Sequence, residues 1–220
     1  MSALPANAST LPERRARGRP RKTADERNDG NRRQDLLRAA AHLFRHQGYA
    51  ATATRDIATA AGMRSGSPFY HFESKQALLA AVMLEGMQRA LRRQAAHTAP
   101  ADAPLHEQLR ALVRSHFEVL LGPDSDFVPV MLYEWRSLTP AQRADVHALR
   151  QRYEAAWLPV LQALHACGAL RGEPSLARLM IFGALNWSVQ WYEARSGGAT
   201  LDDLTDTALQ LFQHDSAGPT

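Results

Sequence analysis

Three small residues in a row, Ser65, Gly66 and Ser67, followed closely by the adjacent pair Tyr70 and His71, form the densest stretch of recognition chemistry in this 220-residue chain. Small side chains at the start of a short helix let its backbone approach a partner closely. A helix N-terminus also offers unpaired N–H groups to phosphate. Tyr70 and His71 add hydrogen-bonding rings suited to the edge of a nucleic-acid groove. A second candidate lies upstream, in the basic run 14–22, where Arg17-Gly18-Arg19-Pro20 has the form of a minor-groove hook. Narrow A·T-rich grooves concentrate negative potential that draws arginine in. The same run also reads as a disordered basic tail that adds non-specific affinity. Both readings stay open, and in both, removing residues 1–27 weakens binding.

Catalysis has no comparable footing. The sequence contains no phosphate-cradling glycine loop, no Gly-x-Ser-x-Gly elbow and no Cys/His cluster at metal-ligand spacing, and its nine histidines are scattered. No enzyme, metal or cofactor is expected. The single cysteine, Cys167, excludes an internal disulfide and fits a reducing compartment. No secretory signal is visible in residues 1–13, and the longest strongly apolar stretch without a charge, 179–192, has 14 residues, where a membrane span needs about 20. A soluble, cytoplasmic protein without a membrane partner is expected.

The formal net charge of +4 conceals an asymmetry. Residues 1–95 carry 17 basic and 8 acidic side chains, a net of +9, whereas residues 96–220 carry 9 and 14, a net of −5. A basic part attracts phosphate backbones and an acidic part is repelled by them, so the two halves face different partners. The 24 arginines against two lysines decide nothing further, since a GC-rich genome favours arginine codons whatever the function.

The elements that position these residues read as helices throughout, about nine of them in an all-α chain with no strand alternation and no internal repeat. Residues 1–30 read as a disordered basic arm. A first helix begins near Asn31 or Arg32, with Leu36, Leu37, Ala40, Leu43 and Phe44 on one face, and Gly48 at its αL stop. Thr52 is a candidate N-cap for a short helix over 54–61 with Ile57 and Ala58 inward. Gly62 and Met63 turn the chain into a second short helix over 65–71, and Ser74 caps a long helix bearing Leu78, Leu79, Val82, Met83, Met87, Ala90 and Leu91. Two short helices around a glycine turn are a helix-turn-helix pattern. Tyr49 and Phe72 read as core. Residues 95–104 mark a boundary, so the DNA-binding unit spans 31–91 and a second unit 104–214.

From residue 32 to 91, and above all through Thr54-Arg55-Asp56-Ile57-Ala58 and Ala61-Gly62-Met63-Arg64-Ser65-Gly66-Ser67-Pro68-Phe69-Tyr70-His71-Phe72-Glu73-Ser74-Lys75, the chain resembles the DNA-binding domain of tetracycline-repressor-like (TetR family) regulators. The match runs without gaps over both helices, the turn and the following cap. It implies a sequence-specific transcriptional regulator: a homodimeric repressor released from a palindromic double-stranded DNA operator when a small molecule binds the C-terminal domain. The alternative is an architectural DNA-binding protein with no ligand response. By the resemblance, Ser65, Gly66, Ser67, Phe69, Tyr70 and His71 fall on the recognition stretch, Arg55 on a basic position of the preceding helix, and Lys75 on a phosphate-contacting lysine. Phe69 stands where tyrosine is usual, so a hydroxyl contact is lost there. Pro68 replaces an aliphatic residue at a helix start, where it removes at most one hydrogen bond. Arg64 stands where serine is common, and its guanidinium can reach phosphate or guanine O6/N7. A structural role for His71, or a local pairing of Arg55 with Asp56, is the competing reading at those positions.

The second unit offers an amphipathic helix over 105–121 and a shorter apolar segment over 126–138. A long helix then opens at Thr139-Pro140 and runs toward Ala166 with a kink at Pro159, followed by helices over 174–195 and 201–214. The 174–195 helix is apolar nearly all round, with Leu176, Met180, Ala184, Trp187 and Trp191 on one side and Ile181, Leu185, Val189 and Tyr192 on the next, so it must be buried on more than one side. With Gly183 permitting close approach, and Leu204, Ala208 and Leu211 on the last helix, this fits a two-fold dimer interface; a large monomeric core is the other reading. His116, Phe117, Tyr133, Trp135, Arg136, Trp157 and Trp187 are candidates to line an apolar effector cavity. The run from Gly183 to Tyr192 is similar to family members that answer to acyl-CoA or related thioesters, which implies an acyl-CoA-like effector.

Overall fold

The computed structural model describes residues 24–63, 71–123, 125–194 and 198–214, with side chains from residue 31 onward. Nine α-helices and two single-turn 3-10 segments make up the described residues, in the order α1 (Ala24–Gln47), α2 (Thr54–Ala60), α3 (Lys75–His97), α4 (Leu105–Leu121), α5 (Phe127–Glu134), α6 (Pro140–Ala155), α7 (Trp157–Ala166), α8 (Pro174–Trp187) and α9 (Leu201–Phe212). The chain is all-α, as its periodicity requires.

Local chemistry sets several of the ends. Gly48, at φ 83°, terminates α1, and Gly168, at φ 78°, follows α7; L side chains rarely adopt this conformation. The Ser74 hydroxyl accepts from the Ala77 amide at the start of α3. Thr139 forms a capping box with Gln142 ahead of Pro140, and Thr200 forms one with Asp203. Glu173 caps α8, its carboxylate accepting from the Ser175 and Leu176 amides, which hold its pKa below the ordinary value.

Four boundaries differ from the sequence expectation. Helix α1 starts at Ala24, seven residues before the expected Asn31. Thr52 is not the N-cap of α2: its buried hydroxyl donates to Gly48 O at 2.8 Å, tying the loop back to α1, and Ala53 takes the cap position. The long helix expected from Thr139 to Ala166 is broken at Ala156, ahead of the expected kink at Pro159. The proline ring clashes with the carbonyl four residues before it, that of Ala155, so the helix must yield there, and Pro159 is then accommodated in the first turn of α7. Helix α8 stops at Trp187 and passes into a 3-10 turn over Ser188–Gln190 instead of continuing to Arg195.

Two apolar cores result. The first joins Leu36, Leu37, Ala40 and Phe44 of α1 and Ile57 of α2 to Leu78, Leu79, Val82, Met83 and Met87 of α3. It continues without a gap into Val128 and Val130 of α5 and Val146 and Tyr153 of α6. The second packs Leu109, Leu112, Val113 and Phe117 of α4 against Trp157, Leu161 and Leu164 of α7, Ile181 and Leu185 of α8, and Ala208 of α9. Residues 95–104 therefore separate helices but not cores, because α3 belongs to both halves.

Close approach of α3 and α5 depends on Gly86, where a Cβ would lie 3.1 Å from Phe127 Cβ and 3.2 Å from its carbonyl carbon. Gly86→Val is expected to destabilise the protein by about 1–3 kcal/mol, the usual cost of overpacking a well-filled contact. Urea denaturation measures this, and an unchanged midpoint would contradict the packing described.

Candidate nucleic-acid interface and ligand cavity

The residues expected to meet DNA divide into two groups. Arg64, Ser65, Gly66, Ser67, Phe69 and Tyr70, with Arg17 and Arg19 of the arm, lie outside the described residues. The flanking positions are visible. Arg55 projects from α2 with 89% of its side chain exposed, its Nε 3.5 Å from Asp56 Oδ1; an exposed pair of this kind leaves the guanidinium accessible. His71 is half-buried. Phe72 is core, with the Arg33 guanidinium 5.1 Å from its ring centroid.

Lys75 is held differently from a free phosphate-seeking lysine. Its Nζ donates to Tyr49 O at 2.7 Å and Thr52 O at 2.8 Å, and lies 4.4 Å from the Tyr49 ring centroid. A cation on the first turn of a helix opposes the helix dipole, and these carbonyls and the ring face offset that cost. Lys75 thereby anchors the loop between α1 and α2. Tyr49, packed against Phe44, has its hydroxyl pKa raised by burial and by the Glu134 charge.

The same loop is tied to the C-terminal half. Glu134, at the end of α5, accepts from the Tyr49 amide at 2.8 Å through Oε1 and from the Ser137 hydroxyl at 3.1 Å through Oε2. Gln76 Nε2 donates to Ser137 O at 2.9 Å. Two residues on one short turn, Glu134 and Ser137, thus grip both the loop entering α2 and the start of α3.

Behind that turn lies a cavity of about 320 Å³ between α3, α4, α5, α6 and α8. Its apolar wall comes from Met87 and Ala90 of α3, Val119 of α4, Val128, Met131 and Leu132 of α5, Trp135, and Phe182 of α8; its polar groups are His116, Arg150, Tyr153, Glu154 and Asn186. His116 is the centre of the polar set. Its Nε2 lies 3.1 Å from Asn186 Oδ1 and its Nδ1 2.9 Å from the Tyr153 hydroxyl. An amide oxygen only accepts, so Nε2 carries the proton and Nδ1 accepts from the tyrosine. Burial drives the His116 pKa down to about 4, the Asn186 bond opposing it, and burial pushes that of Tyr153 up. Both are neutral at physiological pH. Arg150 is paired with Glu154 at 3.4 Å and faces the Trp135 ring at 5.7 Å, and Arg178 closes on the other oxygen of Glu154. On the outer side of Ala90, Val119 and Val128 runs an open groove of about 690 Å³ lined by Arg89, Arg92, Arg93 and His97 with Glu85 and Glu118.

Of the residues expected to line the cavity, His116 and Trp135 do so, and Trp157 stands behind His116, edge-on at 5.9 Å. Four do not. Phe117 follows His116 by 100° around α4 and enters the second core. Tyr133 and Arg136 are turned outward, because the inward stripe of this segment is Val128, Met131, Leu132 and Trp135; the Tyr133 hydroxyl instead accepts from Gln190. Trp187 is 64% exposed on the outer face of α8. Sequence reading missed Arg150, Glu154, Phe182 and Asn186, whose signal is the i, i+4 spacing that places each pair over one cavity wall. It also passed over the spacing of His42 and His46, one helical turn apart on α1 and beside Asp126.

The expected interface divides as well. Met180 (73% exposed), Trp187, Trp191 (56%) and Leu211 (71%) form an uncovered apolar surface with Leu176, Leu179, Gly183 and Ala184. Leu204 and Ala208 do not join it: they lie on the inward stripe of α9 with Thr205, which packs on α4.

A short helix carrying an exposed arginine, sharing one continuous core with a helical half that encloses a mixed apolar and polar cavity, fits a helical DNA-binding regulator. The comparisons agree. The profile of the tetracyclin repressor-like C-terminal domain matches residues 102–215, and that of bacterial regulatory proteins of the tetR family matches residues 36–82. The chain belongs to the TetR family, whose members are transcriptional regulators and not enzymes. It is similar to the HTH-type transcriptional repressor KstR2 of Rhodococcus jostii, with 29% identity over 200 residues that cover 89% of this chain and 96% of the relative. The solved structure of superantigen PfiT is 39% identical over 83% of this chain and 96% of its own, with a TM-score of 0.67. That of AibR in complex with isovaleryl coenzyme A and operator DNA is 24% identical over 82% and 97%, with a TM-score of 0.73, a likeness that shows the shared fold. No helix among the described residues is long and apolar enough to cross a membrane.

The neutral state of His116 has a measurable consequence. Unfolded, the imidazole takes up its proton near its ordinary pKa of 6.5, whereas the folded protein resists until about pH 4. The unfolded state therefore binds more protons across that interval, and stability is lost as pH falls through it, by roughly 3 kcal/mol in all. His116→Gln is expected to destabilise the protein more at pH 7 than at pH 4 by that order. Equal penalties at both pH values in guanidinium unfolding would contradict a buried neutral imidazole.

Proposed function

We propose that this chain is a cytoplasmic repressor that binds a palindromic operator as a homodimer and releases it when a small apolar effector enters the cavity behind Trp135. The observation that carries this reading is the adjacency of Glu134 and Trp135. One residue holds the loop leading into the helix-turn-helix, and the next forms part of the cavity wall. An effector that displaces the Trp135 ring moves the Glu134 carboxylate and, through Tyr49, Ser137 and Gln76, the starts of α2 and α3. A ligand shifts such an equilibrium only by its differential affinity for the two states, and a wall residue linked by one peptide bond to the DNA-side contact supplies that difference.

The effector class follows from the lining. The apolar wall suits a short or branched acyl chain, and the Asn186 and His116 pair suits a carbonyl oxygen or hydroxyl at its end. AibR binds isovaleryl coenzyme A, and an acyl thioester is the class we infer here, its anionic portion lying along the groove of Arg89, Arg92 and Arg93. The uncovered surface of α8, continued by Trp191 and by Leu211 of α9, is the dimer contact, on the strength of Met180, Gly183, Ala184 and Trp187; Leu204 and Ala208 pack inward on α4 and lie outside it. Recognition of the operator rests with Arg55, with the segment from Arg64 to His71, and with Arg17 and Arg19 of the arm. Lys75 contributes by fixing the loop, and a phosphate contact from it would draw on a nitrogen already bonded to two carbonyls.

Footprinting of the full-length protein on the DNA upstream of its own gene, repeated with short-chain acyl-CoA thioesters, tests this reading. The expected result is a discrete protected palindrome that is lost on adding effector, with affinity falling steeply as salt rises. Length-dependent binding with no footprint would establish the architectural alternative. Glu134→Ala is expected to retain effector binding by calorimetry while the effector-induced loss of operator affinity shrinks at least about fivefold, the lower end of ordinary allosteric coupling. Full release in that variant would refute the coupling route.

A further inference from the structure

We propose that His42, His46 and Asp126 form a binding site for a divalent transition-metal ion of the zinc class, bridging α1 to the N-terminus of α5. His42 and His46 share one exposed face of α1, a turn apart, with ring centroids 4.5 Å from each other. Asp126 meets them from the opposite side. It occupies the N-cap position of α5 without capping the helix through its side chain, so the carboxylate is directed to α1 instead. Its Oδ2 lies 3.1 Å from His42 Nδ1 and its Oδ1 3.6 Å from His46 Nε2, and one ligand atom from each of the three lies within 4.8 Å of the others.

Ligand atoms held about 2.0–2.2 Å from a tetrahedral zinc ion stand roughly 3.3–3.6 Å apart. Small ring rotations bring this triangle to that size. Two imidazoles and a carboxylate are a donor set suited to zinc and its neighbours, whereas magnesium and calcium take oxygen shells. The histidine side chains are 62% and 54% exposed, so water completes the coordination. Arg45 tempers the affinity: its Nη1 donates to Asp126 Oδ1 at 2.9 Å and to Ser125 Oγ at 3.0 Å, a fixed positive charge beside the incoming cation. The ion would close the chain between α1 and α5 into a loop and lock the first helix of the DNA-binding half to the wall of the effector cavity. The site is distinct from that cavity and independent of the acyl-thioester reading.

Calorimetric titration of Zn²⁺ into the full-length protein and three variants tests the proposal. The wild type is expected to take up one Zn²⁺ per chain at this site. His46→Ala and Asp126→Asn are expected to weaken that event at least about tenfold, as loss of a metal-site group does. Arg45→Gln is expected to tighten it, because a competing charge is removed while all three ligands remain. A merely structural ion pair would not give that gain. Absence of saturable uptake by the wild type, uptake unaltered in His46→Ala and Asp126→Asn, or no tightening in Arg45→Gln would each overturn the assignment. His46 is exposed, so its variant folds irrespective of the outcome, which the metal-free unfolding midpoint checks.

Discussion

Burial of a single stripe along α3, from Leu78 through Val82, Met83, Gly86, Met87 and Ala90 to Gln94, is the constraint on which the rest of the molecule rests. Its first turns close the core of the DNA-binding half with α1 and α2. Its later turns meet α4, α5 and α6 and supply Met87 and Ala90 to the cavity. A helix of this length spans about 34 Å, so one rigid element touches both ends of the regulatory problem. Gln94 fixes its far end by donating to the Tyr153 carbonyl at 3.2 Å, and the Tyr153 side chain reaches His116 in turn.

The cavity pairs an apolar wall with a polar set whose hydrogen-bonding roles are already assigned. Asn186 fixes the proton on His116 Nε2, which obliges Tyr153 to donate to Nδ1. Such a network resists ligands that present the wrong partner, since a buried donor or acceptor left unsatisfied costs about 1–3 kcal/mol. In the proposed effector site, selectivity would rest on these three side chains from three different helices, α4, α6 and α8, whose spacing depends on the same packing that positions α3. Ion pairs on the rim, Arg150 and Arg178 with Glu154, hold α6 and α8 in register without entering the apolar part.

The fold was largely legible in the sequence, because caps and stops are local chemistry. Ser74, Thr139-Pro140, Thr200, Gly48 and Gly168 act where their residue types require. What escaped depended on distance. Thr52 has the right type and place for an N-cap, yet its hydroxyl is drawn to a carbonyl on the preceding turn. Tyr133 and Trp135 are both aromatic and two residues apart, and only the register of α5 against α3 decides which faces the cavity. The third group beside His42 and His46 comes from Asp126, 84 residues after His42 in the chain, and no spacing rule reaches that far. Leu204, Ala208 and Leu211 share helical spacing on α9, yet α4 covers the first two and only Leu211 is left exposed.

The four tryptophans fall into two environments. Trp157 is fully buried and Trp135 lines the cavity, whereas Trp187 at the end of α8 and Trp191 after the following turn are exposed. Indole emission shifts to the blue in an apolar setting and to the red in water, so the protein carries one pair of intrinsic reporters for its interior and another for its outer surface. Replacing either pair with phenylalanine would isolate the other optically. Occupancy of the cavity and association of chains could then be followed separately in one unlabelled sample.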